Sequence, residues 1–194
     1  MNDHLIAARA RMADPATDRG AVERSRAIIE HLNVGKLEYE VGRAMQEDAP
    51  VNRMVWMMKA ADTFGAATQG KVACRDGCAH CCYQPVLISA AEAQLIAQHT
   101  ATPMKSPNFV GDSNPVYVGA ACNFLVDNRC SIYEARPFAC RVHYTMDVDS
   151  LLCQVVPGVT DLTTPLLNNI PMFEALGVVM EEHILKVADV RDWF

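Results

Sequence analysis

The sequence predicts a mainly α-helical protein in which short strands accompany a cysteine-rich loop region, and an α+β arrangement stays open as an alternative. Three observations support this fold class. Apolar residues recur at helical spacing in residues 1–69 and again after Pro171. Between these parts, turn residues separate short apolar runs of strand length. All eight cysteines lie between Cys74 and Cys153, inside that irregular region.

The first 69 residues are predicted to hold three helices and no chemical motif. Asp18 is expected to cap a helix that runs toward Leu32. A second helix is expected over residues 36–46, and a third follows Pro50 and ends at Gly70. Methionines form an apolar stripe along the third helix, which is more typical of a helical core than of a soft binding surface.

The segment after the first four cysteines is predicted to contain a strand and a helix. Residues 85–88 are short and apolar, as expected for an extended strand. Ser89 and Glu92 have the spacing of a capping box, which predicts a helix that ends near His99. Residues 100–115 are rich in proline, glycine and asparagine, so they are expected to form a surface loop.

Two more short strands are expected before the second half of the cysteine region. Residues 116–118 and 123–126 are predicted to pair with each other. Asp127 and Asn128 are typical turn residues and predict a turn that precedes Cys130. A short helix is expected at residues 148–152, directly before the last cysteine.

One amphipathic helix is predicted at the C-terminus. Pro171 would lie in its first turn, where proline costs no hydrogen bond. Apolar residues then recur at spacings of three and four, namely Leu176, Val179, Met180, Ile184 and Val187. The chain is thus expected to comprise a helical extension (1–69), a cysteine-rich domain (70–160) and a C-terminal helix packed on the same body (161–194).

Composition and charge narrow the possible partners. The chain is 51% hydrophobic and 21% charged, which is typical of globular proteins. Its net charge of -6 argues against nucleic acid as the main partner, because phosphate-binding surfaces are basic. No apolar run approaches the roughly 20 residues of a membrane span, and the N-terminus does not resemble a signal peptide. A cytoplasmic protein is therefore expected, and its oligomeric state is left open.

The cysteines carry the functional prediction. Disulfides are disfavoured in a reducing compartment, where clustered cysteines more often bind metal. The eight candidate metal ligands are Cys74, Cys78, Cys81, Cys82, Cys122, Cys130, Cys140 and Cys153. They would suffice for two four-cysteine sites, or for one site with structural or redox-active cysteines left over.

The spacing of the first cysteines bears on the identity of the metal. Cys74, Cys78 and Cys81 are separated by three and two residues, and Gly77 permits a backbone bend between them. Structural zinc sites more often use two separated pairs, so this close triplet favours an iron–sulfur cluster such as 4Fe–4S, with zinc as the alternative. Adjacent Cys81 and Cys82 are expected to point apart and to serve different metals or roles.

A longer pattern extends through the cysteine region. It comprises Gly77-Cys78, Cys81-Cys82, Val86, Ile88, Glu92-Ala93, Cys122, Phe124-Leu125, the block from Cys130 through Ile132-Tyr133-Glu134-Ala135-Arg136-Pro137 to Cys140-Arg141, and Cys153. This pattern resembles the CxxCxxCC family of YkgJ-like proteins, which is associated with zinc or iron chelation. The family has two residues between its first two cysteines, whereas this chain has three after Cys74.

The resemblance implies a ligand role for the matching cysteines. Arg136 and Arg141 fall in its strongest block, so they are candidate cofactor-binding residues that would offset thiolate charge or bind a substrate carboxylate. His80 and His143 are candidate replacements for a cysteine ligand. Some relatives are flagellin lysine N-methylases, which resemble iron–sulfur proteins that use S-adenosylmethionine.

Three functional hypotheses follow. The first is a zinc- or iron-binding protein whose metal centre stabilises the fold or senses metal. The second is a cluster-dependent enzyme that modifies a protein side chain, such as a lysine N-methyltransferase, with S-adenosylmethionine as its cofactor. The third is a redox-responsive interaction protein. An open cavity beside Arg136 and Arg141 would favour the enzyme, whereas complete four-sulfur coordination would favour the binding role.

Overall fold

The protein is mainly α-helical, with short antiparallel strands. The computed structural model describes residues 3–75, 77–107, 117–156, 158–181 and 186–194. The helices in these residues are α1 (Asp3–Ala13), α2 (Pro15–Ile29), α3 (Val34–Met45), α4 (Pro50–Ala66), α5 (Ala90–Thr100), α6 (Phe138–Val142), α7 (Ile170–Met180) and α8 (Val190–Trp193). The strands are β1 (Leu87–Ser89), β2 (Leu125–Val126), β3 (Arg129–Cys130) and β4 (Val187–Asp189). Short 3-10 helices span His80–Tyr83, Tyr133–Ala135 and Leu151–Cys153. None of the described helices has the length and apolar content needed to cross a membrane.

The N-terminal part contains one helix more than the sequence predicts. Helix α1 was not expected, because only Ala8 of its side chains is buried and its apolar pattern is weak. Helix α2 begins after Asp14, whose carboxylate accepts a hydrogen bond from the Ala16 N–H at 2.8 Å. The prediction that Asp18 is the cap was therefore wrong, since Asp18 lies in the first turn of α2.

The main core is built around α4, which follows Pro50 as predicted. Met54, Met57 and Met58 are buried there, which confirms that the methionine stripe belongs to a core. Helix α4 packs against α3, α6 and α7. Arg53 at its start donates a hydrogen bond to the Val179 carbonyl of α7 at 2.9 Å, which joins α4 to α7.

A second core lies where the C-terminus returns to β1. Strand β4 pairs antiparallel with β1, with Leu87 opposite Asp189. Ile88, Ile96 and Trp193 are buried between this sheet and α5. The predicted capping box at the start of α5 is confirmed, because the Ser89 side chain accepts from the Glu92 N–H and the Glu92 carboxylate accepts from the Ser89 N–H.

The middle strands differ from the predicted pairing. Tyr117 and Val118 lie in a turn, and residue 116 is outside the described residues. Strand β2 pairs instead with β3, with Leu125 opposite Cys130. The predicted turn is confirmed: Asp127 and Asn128 have φ values of 48° and 58°, the left-handed conformation that lets a two-residue loop join twisted strands.

The C-terminal region is not one helix. Helix α7 ends at Met180, and Val187 lies in β4 opposite Ser89. Ile184 is outside the described residues. The apolar periodicity fails as a guide here because Val187 belongs to a strand that pairs with distant β1 rather than to a continued helix face.

Candidate metal centre

All eight cysteines line one cavity of about 730 Å³. None forms a disulfide, so all are free thiols. They come from four places in the fold: the turn before α5, the region of the β2–β3 hairpin, helix α6, and the 3-10 helix that ends at Cys153. The fold therefore gathers thiols that are up to 79 residues apart in sequence around a single space.

Local hydrogen bonds shape the turn before α5, which carries the first four cysteines. The Cys78 N–H donates to the Arg75 carbonyl at 3.0 Å, and the Cys82 N–H donates to the Ala79 carbonyl at 3.0 Å. Gly77 has a φ of 82°, a conformation that other residues rarely adopt. The bend expected at Gly77 is thus present.

A backbone hydrogen bond joins the first turn to the hairpin region. The Cys122 N–H donates to the Cys82 carbonyl at 2.8 Å. Cys130 follows on β3, where the ladder with Leu125 fixes its position. Cys140 lies in the middle of α6, whose first N–H is held by the Glu92 carboxylate at 2.9 Å.

Arg191 organises the loops that carry Cys82 and Cys122, and the sequence analysis missed it. Its buried guanidinium pairs with buried Asp189 at 2.8 Å. It also donates to the carbonyls of Cys82 at 3.1 Å, Ala120 at 2.7 Å and Ala121 at 3.1 Å. The only sequence signal was an acidic and a basic residue within an apolar C-terminal stretch.

The N-terminal helix holds the segment that carries Cys153. Arg11 of α1 pairs with Asp147 at 2.7 Å and with Asp149 at 3.1 Å. The Asp147 side chain is only 1% exposed, so this pair is largely shielded from water. Arg24 of α2 adds a hydrogen bond to the carbonyl of Met146 at 2.8 Å.

Thr145 connects two thiols from distant parts of the chain. Its N–H donates to the Cys74 sulfur and its hydroxyl donates to the Cys153 sulfur. Burial nevertheless raises the pKa of Cys153 to about 11, and the neighbouring thiols that add to this effect are Cys74, Cys78 and Cys81. We call Cys74, Cys78, Cys81 and Cys153 the first thiol set.

The remaining four thiols also interact with one another. Burial raises the pKa of Cys140 well above its ordinary value, and Cys81, Cys122 and Cys130 add to this rise. The pKa of Cys82 is raised by its hydrogen bond to Cys81, by burial, and by Cys122 and Cys140 among others. We call Cys82, Cys122, Cys130 and Cys140 the second thiol set.

Backbone amides point at two sulfurs of the second thiol set. The Phe124 N–H donates to the Cys122 sulfur, and the Ile132 N–H donates to the Cys130 sulfur. In both cases the amide lowers a thiol pKa that burial raises. Hydrogen bonds of this kind orient metal-bound sulfur and stabilise its negative charge.

Cys81 and Cys82 contact each other, contrary to the expectation that their side chains point apart. The Cys82 S–H donates to the Cys81 sulfur, which lowers the pKa of Cys81 to about 7. Both residues lie in the 3-10 helix His80–Tyr83.

The two arginines predicted to bind a cofactor lie in different environments. Arg136 lines the cavity, stacks on the Tyr133 ring at 4.0 Å from its centroid, and contributes to lowering the pKa of Cys81. Arg141 does not line the cavity. It donates to Asp62 at 2.6 Å, to the Arg136 carbonyl at 2.9 Å and to the Glu134 carbonyl. It therefore braces the loop that positions Arg136.

The residues fit a zinc or iron centre in their donor chemistry. Thiolate sulfur is a preferred ligand of zinc and of iron–sulfur clusters. His80 and His143 also line the cavity and add nitrogen donors. Within the described residues, no three His, Cys, Asp or Glu side chains are placed to hold a metal ion without rearrangement.

Part of the cavity lining is apolar. Leu152, Val155, Val156, Val159 and Leu162 line it, all from the segment that follows α6. The volume is within the range of about 300–1,000 Å³ typical of small-molecule sites and far exceeds the space that one ion fills. The cavity lining thus combines sulfur-bearing and apolar side chains.

Comparison with known families connects the cavity to metal chelation. Residues 73–159 match the model of the CxxCxxCC family, described as "Putative zinc- or iron-chelating domain". The matched residues include all eight cysteines of the cavity as well as Arg136. No curated protein and no solved structure matches the chain.

Proposed function

From the match of residues 73–159 to the CxxCxxCC family model, we propose that the chain binds zinc or iron through the thiols that line the cavity. The observation that carries the proposal is the convergence of all eight cysteines on one space. Free cysteines that served only as small core residues would be scattered among separate apolar clusters. We also propose that residues 70–160 form the metal-binding domain, flanked by 1–69 and 161–194.

An iron–sulfur cluster is the form of the metal that we propose first. A 4Fe–4S cluster takes a thiolate at each of its iron corners and needs more room than a single zinc ion. The cavity supplies more thiols than one ion binds, and amides of Thr145, Phe124 and Ile132 donate to three of the sulfurs. Zinc is the alternative, because four thiolates also satisfy its tetrahedral coordination.

Arg136 supports a negatively charged centre. Thiolate-rich sites carry net negative charge, and a guanidinium that is always protonated offsets it. The Nε of Arg136 is buried and has no hydrogen-bond partner in the described part of the chain. We propose that Arg136 balances the charge of the centre and that Arg141 positions Arg136.

A second candidate, an enzyme that modifies a protein side chain, is favoured by the size of the cavity. The apolar part of the lining and Arg136 would contact a ligand placed beside the metal. A lysine N-methyltransferase would need S-adenosylmethionine there. The volume of the cavity is the observation that favours this candidate. Its direct test is calorimetric titration of the metal-loaded chain with S-adenosylmethionine; absence of binding would leave the metal-binding role.

The metal proposal is tested by anaerobic purification followed by metal analysis and visible absorption spectroscopy. A brown protein with stoichiometric iron and acid-labile sulfide would support the cluster. A colourless protein with one or two zinc ions would support the zinc form. A chain that contains neither metal, and takes up neither after reconstitution under reducing conditions, would overturn the proposal.

A further inference from the structure

We propose that the cavity receives, beside the metal centre, a small organic acid whose carboxylate binds Arg136 and whose apolar body lies against residues 154–164. This inference rests on the proposed function, because it assigns the part of the same cavity that the metal leaves unfilled. It names the chemical class of the ligand, a monocarboxylate with an apolar chain or ring. We call residues 154–164 the apolar loop.

The apolar loop lines the cavity with side chains that belong to neither core. Val155, Val156, Val159 and Leu162 line the cavity and are half-buried. None of these four packs in the two hydrophobic clusters that the described residues form. Apolar side chains with a purely structural role would be buried against other apolar side chains, so their exposure to the cavity points to an apolar ligand.

Hydrogen bonds hold the apolar loop in its conformation. The Thr164 hydroxyl donates to the Leu152 carbonyl at 2.6 Å, which joins the end of the loop to the residues before its start. Within the loop, the Val159 N–H donates to the Val156 carbonyl at 3.0 Å across a turn in which Gly158 has a φ of 77°. The apolar side chains are therefore presented by an anchored, folded loop.

The volume of the cavity leaves room for an organic ligand. The cavity measures about 730 Å³. A tetrahedral zinc site is compact, because its four sulfurs lie only about 2.3 Å from the ion. The cavity is also within the range of about 300–1,000 Å³ that is typical of small-molecule sites.

The charge of the cavity lining favours an anion. Within the described residues, no Asp or Glu lines the cavity, whereas Arg75, Arg129 and Arg136 do. The chain as a whole carries a net charge of -6, so the lining is more basic than the rest of the molecule. A basic cleft attracts anions, but the thiolates of a metal centre repel a second highly charged one. A monocarboxylate is therefore favoured over a phosphate monoester, which carries about two negative charges.

Arg136 is the arginine best placed to bind the carboxylate. It is half-buried, whereas Arg75 and Arg129 are exposed. Its guanidinium lies over the Tyr133 ring, and its backbone carbonyl accepts from the Arg141 Nε at 2.9 Å. In the described part of the chain, no carboxylate pairs with Arg136 and its buried Nε has no hydrogen-bond partner. A guanidinium without an acidic partner can bind a carboxylate through two N–H donors.

The test measures binding of octanoate to the full-length chain by isothermal titration calorimetry, before and after metal reconstitution. Octanoate combines one carboxylate with an apolar chain. Octanol, octylamine and octyl phosphate keep the chain and change the head group. Arg136→Gln removes the proposed carboxylate ligand, and Arg75→Gln is the matched control because it removes an exposed arginine from the same lining. Metal analysis and circular dichroism accompany each variant.

The wild-type chain is expected to bind octanoate more tightly than the three other head groups. Arg136→Gln should weaken octanoate binding about tenfold or more, because a charge-assisted pair is lost. Arg75→Gln should weaken it less than about fivefold, since exposed charges contribute little. Equal losses in the two variants would overturn the role of Arg136, and tighter binding of octyl phosphate would overturn the carboxylate class.

The outcome for the metal is separate from the outcome for the ligand. A chain that holds metal but does not bind octanoate would overturn this inference and leave the proposed function standing. A chain that binds octanoate but takes up neither zinc nor iron would overturn the proposed function instead. The comparison of head groups uses the wild-type chain alone, so it does not depend on how well a variant folds.

The role of the apolar loop is tested by the length of the ligand. From butanoate to octanoate, affinity should rise about two- to fourfold for each methylene that is buried. Val155→Ser/Val159→Ser should reduce this rise and leave acetate binding unchanged, and the variant should fold because neither side chain packs in a core. An affinity that does not increase with chain length would mean that the loop only shields the metal from water, and would overturn the inference.

Discussion

At the scale of single residues, burial holds most of the thiols protonated until metal binds. It raises the pKa of Cys122, Cys130 and Cys140 above the ordinary thiol value, and it raises the pKa of Cys153 to about 11. Metals bind the thiolate, so binding must displace these protons. Metal affinity should therefore depend on pH, and the raised pKa values extend this dependence to higher pH than exposed cysteines would show.

We expect metal binding to release protons and to tighten as pH rises. Because the raised pKa values keep these thiols neutral at pH 7, each metal centre should release about three or four protons, roughly one per ligated thiol. The apparent affinity should fall as pH is lowered, since more protons compete for sulfur. Zinc titration by calorimetry in two buffers of different ionisation enthalpy measures the number of protons released. A heat that does not depend on the buffer would contradict the prediction.

Arg191 is expected to be critical for stability and for the second thiol set. Arg191→Met leaves buried Asp189 without its cation and removes the side-chain hydrogen bonds to four backbone carbonyls, which should cost about 3–5 kcal/mol of unfolding free energy. Arg191→Lys keeps the charge but cannot reproduce the planar array of guanidinium N–H donors, so it should retain only part of the lost stability. Urea unfolding measures the stability of both Arg191 variants. Arg19→Met is the control, because Arg19 is exposed. Equal stability of the Arg191 and Arg19 variants would refute the assigned role.

The residues that the sequence analysis identified are those whose chemistry is local or unmistakable. Cysteine spacing and the Ser89–Glu92 capping box can be recognised without knowing what lies across the fold. Thr145 and Arg191 could not, because each acquires part of its role from a partner about 70 residues away in the sequence. Their importance comes from tertiary contacts that leave no periodic trace.

At the scale of elements, the site is assembled by segments with little regular structure, held by helices from elsewhere. Helix α1 braces the segment with Cys153 through Arg11, and α4 contacts α6, which carries Cys140. Strand β4 brings Arg191 against the loops of Cys82 and Cys122. Elements outside the cysteine-rich loops therefore hold three of the segments that carry the thiols in place.

Replacing Arg11 should loosen the first thiol set selectively. Arg11→Ala leaves the buried carboxylate of Asp147 without its cation, at a cost of about 1–3 kcal/mol. The segment that carries Cys153 should open, so Cys153 should react faster with a thiol reagent in the metal-free chain. Arg9→Ala is the matched control, because the pair of Arg9 with Asp161 is exposed and should contribute at most about 1 kcal/mol. Equal Cys153 reactivity in the two variants would contradict this role of α1.

Two helical glycines should respond in opposite directions to alanine. Gly42 of α3 has open space where a Cβ would be, so Gly42→Ala should stabilise the chain by about 0.5–1 kcal/mol. A Cβ at Gly65 of α4 would collide with the Tyr144 hydroxyl, which lines the cavity. Gly65→Ala should therefore displace Tyr144 and lower stability despite its better helix propensity. Thermal unfolding of both variants tests this difference, and a rise in melting temperature for both would refute the close contact between Gly65 and Tyr144.

Elements defined by local signals were predicted well, and elements defined by distant partners were not. The turn at Asp127-Asn128 and helices α3, α4 and α5 follow from turn chemistry, periodicity and caps. Strand β4 was mistaken for the end of a helix because Val187 pairs with Ser89, about 100 residues earlier in the chain, and the local pattern does not reveal that partner. The partner of β2 was misassigned because Tyr117 and Val118 have the composition of a strand but lie in a turn.

At the scale of the whole molecule, the structure combines one extensive core with a cavity region that has little core of its own. Helices α2, α3, α4, α6 and α7 share the main cluster of buried residues. The turn with Cys78 and the hairpin with Cys130 contribute few fully buried side chains. The stability of these loops should consequently depend on the metal, because ligand binding to the folded state adds stability by mass action.

Metal removal should therefore unfold the chain in parts rather than uniformly. Zinc at 100 times its dissociation constant would stabilise the loaded state by about 2.7 kcal/mol, and a chelator would remove that contribution. Hydrogen exchange should then speed up in residues 74–83 and 117–135, while amides of α4 stay protected by packing of Met54 and Met57. Readdition of zinc to the reduced chain is the control and should restore protection. Uniform loss of protection through α4 would mean that metal binding and the main core form a single cooperative unit.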